Sequence, residues 1–177
     1  MKILHAAWSG LLIFAAAGAW AQSGGATDPQ IAAIVVTANQ VDIDAGKLAD
    51  SMSQSKEIKQ FAQLMITDHG AVNKSATELV HKLHVKPESN ATSQSLKQGG
   101  DDNLAALKKL KGGAFDRAYI EHEVAYHQSV IEALDKTLIP SAKNEELKAL
   151  LVKVRPAFVA HLDHAKQLQT SLEKSGG

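Results

Sequence analysis

The chain has 177 residues, 19 basic against 19 acidic side chains, and no cysteine. Balanced, interspersed charge leaves no electrostatic footprint for nucleic acid and no basic face for anionic lipid. The lack of cysteine excludes thiolate chemistry, iron–sulfur ligation and disulfides, so stability rests on core packing, and the eight histidines are the plentiful borderline-soft metal ligands.

The opening stretch MKILHAAWSGLLIFAAAGAWA reads as a secretory signal peptide at 1–21. It has one lysine, an apolar run at 11–17 and the small-x-small triplet Ala19-Trp20-Ala21. Left uncleaved, residues 3–21 would just span a bilayer, but Ser9, Gly10 and the triplet favour cleavage after Ala21. A periplasmic or secreted location is expected, with membrane contact only through this segment if it stays attached. Residues 22–177 are expected to form a single domain able to bury a full core.

Four helices are expected in that domain. The first opens at Asp28-Pro29, with Asp28 as N-cap and proline in the first turn, and runs to about 52. The second covers about 55–83 and stops before Pro87; the third starts near Gly113 and ends before Pro140; the fourth follows Ser141 and continues to about 174. The connection at 86–113, rich in Ser, Gly and Asn, carries a short helical piece around 103–109. Short, long and short connections suggest two antiparallel hairpins joined by a crossover, an all-α four-helix bundle of the ferritin-like arrangement. An up-down-up-down bundle with a loose middle loop is the alternative. The sequence has no strand signal, phosphate loop or nucleophile elbow.

At 100° of rotation per residue, each helix resolves into an apolar arc and a solvated one. In the first helix Ile31, Ile34, Ala38, Ala45 and Ala49 mark the apolar arc, which includes Asp42, while Asp44 turns outward. In the second, His69 falls inside the arc of Ile58, Phe61, Met65 and Leu79. Asp68 and Asn73 flank it, and His81 points to water with Lys74 and Glu78. The third helix places Asp116, Glu123 and His127 among Phe115, Tyr119, Ile120, Val124 and Val130, with His122 at the rim. In the fourth, His161 lies in the stripe of Leu151, Phe158, Leu162 and Ala165, with His164 towards its edge and Pro156 on the solvent side, where a kink disturbs packing least.

Every helix thus presents a titratable group to the core: Asp42, His69, Glu123 with His127, and His161. Each lies in the middle third of its helix, so antiparallel packing brings them to a common height. A single histidine on an apolar face is usually a satisfied core residue. Buried carboxylates, however, are rarely tolerated unless paired or bound to a cation. The choice is between an internal hydrogen-bond network and a metal ion, and the convergence favours metal. Asp116 is equally explained as a helix-terminal acid favoured by the dipole, and Asp68 reads better as the partner of a histidine than as a direct ligand.

The segments FAQLMITDHGAVNKSATEL, FDRAYIEHEVAYHQ and RPAFVAHLDHAKQL resemble, in order, three motifs of the DUF4142 family of bacterial exported proteins. These read FA-x-x-M-x-x-DH-x-x-x-N, FD-x-x-Y followed eight residues later by H, and P-x-x-x-x-H-L-x-x-A. The resemblance implies a ferritin-like fold and export without an assigned activity, and singles out Asp68, His69, Asn73, Asp116, Tyr119, His127 and His161. The resemblance implies that many relatives carry glutamate where this chain has Asp42. The outer-membrane label attached to the family finds no support in strands of barrel length.

The expected function is metal binding, with His69, His127 and His161 as imidazole ligands and Glu123 and Asp42 as carboxylate ligands. Mixed nitrogen and oxygen ligation suits zinc, iron or manganese and leaves copper open. Di-iron enzymes of this fold use Glu-x-x-His on two helices. Here the spacing is Glu123-x-x-x-His127 and no Glu-x-x-His ends at His69 or His161, so no reaction is assigned. Two rivals remain: an envelope interaction or stress-tolerance module whose polar cluster only fixes helix register, and catalysis with His127 as base and Glu123 as its orienter.

Overall fold

The structure, a computed structural model, describes residues 25–175; the expected signal peptide lies outside them. Among the described residues all regular secondary structure is helical: α1 spans Asp28–Met52, α2 Lys56–Lys82, α3 Ala91–Leu107 and α4 Gly112–Ala133. A π-helical turn, Leu134–Leu138, carries α4 into the single turn α5, Ile139–Ser141, and α6 covers Glu145–Ser175. No described helix is long and apolar enough to cross a membrane.

The helix starts follow local chemistry. The cap of α1 is Thr27 rather than Asp28: its side chain accepts from the Gln30 N–H, and the Gln30 side chain accepts from the Thr27 N–H in return. Asp28 instead receives the N–H groups of Lys143 and Asn144 at 2.9 and 3.0 Å, pinning the start of α1 to the approach of α6. Ser55 caps α2 through the Ile58 N–H.

The connection expected at 86–113 holds far more helix than a piece at 103–109. Asn90 and Ser93 form a reciprocal cap that starts α3, and α3 packs along α1. Gly100 sets the approach, since a Cβ there would lie 2.7 Å from Val41 Cγ2. The expected end before Pro140 is likewise corrected. Pro140 has no N–H for the carbonyl four residues back. The chain loosens ahead of it into the π turn, in which the Ile139 N–H reaches Leu134 O, and continues through Pro140 into α5. Pro156 is exposed inside α6, as its position on the wheel requires.

α1 packs on α2, α3 and α4, and α6 packs on α2 and α4. The interior divides into two apolar clusters. One contains Ala45, Ala49, Phe61, Met65, Phe115, Ile120, Ala165 and Leu168; the other contains Ile31, Ile34, Ala76, Val130, Leu134, Leu147, Leu151 and Phe158. Each long helix passes from one cluster to the other, α2 and α4 in one direction and α1 and α6 in the opposite one. The crossings fall at Asn39 and Asp42, at His69, at Glu123 and His127, and at His161. A polar layer therefore separates two hydrophobic halves.

Candidate metal centre

The helical period that builds the two apolar halves also aims their shared polar layer inward. His69 from α2, His127 and Glu123 from α4, His161 from α6 and Asp42 from α1 are each at most 3% exposed. The three imidazole ring centres form a nearly equilateral triangle with sides of 5.5, 5.2 and 5.5 Å. One nitrogen from each ring lies within 4.8 Å of the others, and Asp42, Glu123 and His127 form a second group of the same span, sharing His127. All five residues expected as ligands are thus brought together.

Each imidazole is held at one nitrogen and free at the other. The Asn39 side-chain amide donates to Val35 O at 2.7 Å, which turns its oxygen towards His69 Nδ1, 2.7 Å away. An amide oxygen only accepts, so His69 carries its proton on Nδ1 and a lone pair on Nε2. His127 Nδ1 donates to the Glu123 carbonyl at 3.0 Å, leaving the lone pair on Nε2. His161 Nε2 donates to Asp68 Oδ2 at 2.9 Å, leaving it on Nδ1. These lone-pair nitrogens are buried without a hydrogen-bond partner. His69 Nε2 and His127 Nε2 face Asp42 Oδ2 at 3.3 and 3.8 Å.

The electrostatics follow from the low-dielectric setting. Burial pushes Asp42 up, but His69, His127 and Glu123 more than offset this and hold its carboxyl below the usual range. Burial, reinforced by the Asp42 charge, pushes Glu123 well above it. Burial also lowers His69 to about 4 against the pull of Asp42, and lowers His161 against that of Asp68. At neutral pH the layer therefore holds neutral His69 and His161, one carboxylate and one carboxylic acid. Phe158 stacks on His69 with ring centres 5.0 Å apart and planes 12° from parallel, which fixes that ring and excludes water from its face.

The remaining sequence candidates fall around this layer. Asp68, at the half-buried rim, pairs with His161 rather than joining either ligand group. Asp116 and Tyr119 are buried, with Asp116 Oδ1 unpartnered and the Tyr119 hydroxyl directed at Glu123, but neither belongs to the two groups. Asn73 is half-buried with its Oδ1 unpartnered. His122 stacks on Tyr126, His164 meets the edge of Phe61, and His81 is exposed. Sequence reasoning missed Asn39. Its signal was an amide in an apolar arc, one turn before Asp42.

A family model described as "Domain of unknown function (DUF4142)" matches residues 14–168. The chain belongs to this family. No curated protein and no solved structure matches it. Four of the motif residues by which the chain resembles DUF4142 build the polar layer: His69, His127 and His161 form the triangle, and Asp68 holds one of its corners.

Proposed function

We propose that this protein is an exported, single-domain four-helix bundle of the ferritin-like arrangement. In the periplasm or outside the cell, it holds one divalent metal ion through His69, His127, His161, Asp42 and Glu123. The topology is supported by the parallel course of α2 and α4, which makes the segment through α3 a crossover. Export is supported by the composition of residues 1–21.

The observation that carries the metal reading is the set of three buried imidazole lone pairs without partners, each on a ring whose other nitrogen is already anchored. Metal-binding histidines have this arrangement, with one nitrogen towards the ion and the other donating to an oxygen that fixes the tautomer. A purely structural network would pair these atoms with donors, because a buried unsatisfied polar group costs about 1–3 kcal/mol.

The donor set fits a cation. Asp42 with ionised Glu123 offsets two positive charges, so a divalent ion leaves no net charge in the interior. The Glu123 proton is released when the ion binds, because ligands bind in their deprotonated form. Three nitrogens with carboxylate oxygens suit zinc, iron or manganese, and copper fits the same donors. Bound there, the ion supplies a concentrated positive charge and a Lewis-acidic centre.

Protein purified without a histidine tag tests the reading by elemental analysis, together with thermal melts in chelator and in added zinc or iron. One equivalent of metal and a higher melting temperature with the ion are expected, because a ligand specific to the native state stabilises it by mass action. No stoichiometric metal and identical melts would refute it.

A further inference from the structure

The polar layer opens on one side into a cavity of about 20 Å³. Asn39, Asp42 and His69 form its polar end, and most of the remaining wall is apolar, including Ala38, Leu134 and Leu138. The two leucines belong to the π turn, so the local loosening ahead of Pro140 also shapes this wall. The space admits roughly one or two heavy atoms, a water or a diatomic molecule, and no organic substrate.

We propose that the bound ion keeps one coordination position open towards this cavity, and that this position takes a neutral ligand of one or two heavy atoms, in the class of dissolved diatomic gases. The inference rests on the metal reading above. Two features select a neutral molecule. A divalent ion with Asp42 and ionised Glu123 already balances its charge, so an added anion would bury an uncompensated one. The largely apolar wall offers an incoming ligand few hydrogen bonds, which favours small uncharged molecules over hydrated ions. The site then acts as a binding centre for a small molecule, where a closed structural site would have every position filled by protein.

The test uses the untagged full protein, loaded anaerobically with iron(II) and titrated with nitric oxide, read by electron paramagnetic resonance. The half-integer-spin signal of an iron nitrosyl is expected at one per bound iron. Ala38→Val narrows the cavity without removing a ligand. It should leave iron stoichiometry unchanged and weaken nitric oxide binding about tenfold or more, the scale of overpacking a closed core. Leu138→Ala enlarges the cavity and should retain the signal. Iron bound at one equivalent with no nitrosyl signal would overturn this inference while leaving the metal reading intact. A normal signal with unchanged affinity in Ala38→Val would remove the cavity from the account. Failure to bind iron, zinc or manganese would overturn both.

Discussion

Asn39 Oδ1 sits 2.7 Å from His69 Nδ1 and leaves the lone pair of that ring on the nitrogen facing Asp42. Asn39 is 2% exposed and its own amide is anchored to Val35 O, so the contact fixes both tautomer and ring angle. Asn39→Ala should weaken metal binding about 10–100-fold, the usual effect of losing such a partner. Isothermal titration with zinc measures it, and unchanged affinity would show that Asn39 does not orient the ring.

Glu123→Gln separates stability from ligation. Glu123 is neutral in the metal-free interior because burial and Asp42 raise it. Its folded value lies above its unfolded one, so its contribution is full below about 4.5 and is lost as pH rises towards the raised value. Glutamine mimics the protonated form and escapes that loss. The metal-free variant should melt at or above the wild-type temperature at pH 8, while its metal affinity falls. Calorimetry with and without zinc reads both, and a variant that is less stable without metal yet binds it normally would contradict the assignment.

Acid should destabilise the metal-free protein between about pH 6.5 and 4. Burial lowers His69 and His122 to about 4 and also lowers His161. The unfolded chain takes up protons in this window that the folded one excludes. Glu123 acts in the opposite direction above about 4.5, but one group stands against three. Melting temperature should fall on acidification, and more gently in His122→Phe. A melting temperature that rises through this window would show that the imidazoles are not desolvated.

The α1–α3 contact makes a prediction away from the cluster. Alanine in place of Gly100 gains about 1 kcal/mol of helix propensity. Its Cβ would lie 2.7 Å from Val41 Cγ2, and Val41 is a stiff β-branched side chain in a helix with little room to yield. Overpacking of this kind costs about 1–3 kcal/mol, so the clash should win and Gly100→Ala should lower the melting temperature while metal stoichiometry holds. A stabilised variant would mean that α3 packs more loosely on α1.

The inward-facing chemistry was legible in the sequence because charge on an apolar helical arc is a strong anomaly. Asp42, His69, Glu123, His127 and His161 are each flanked by core residues one turn away, and the 3.6-residue period leaves them no other direction. Asn39 escaped because an uncharged amide on such an arc raises no alarm. α3 was largely hidden by its Ser, Gln and paired glycines, which carry little apolar period; its clearest sign was the Asn90 cap. The π turn was invisible because Leu134 and Leu138 are four residues apart, as in an ordinary helix. The Thr27 cap was obscured by Asp28, an equally good capping residue one position later.

X-ray absorption spectroscopy at the edge of the bound metal detects imidazole rings around the ion and so reads the proposed histidine triangle itself. Scattering from three imidazoles together with carboxylate oxygen is expected, reduced to two imidazoles in His161→Ala. A first shell of oxygen alone, or a spectrum unchanged by that substitution, would contradict it.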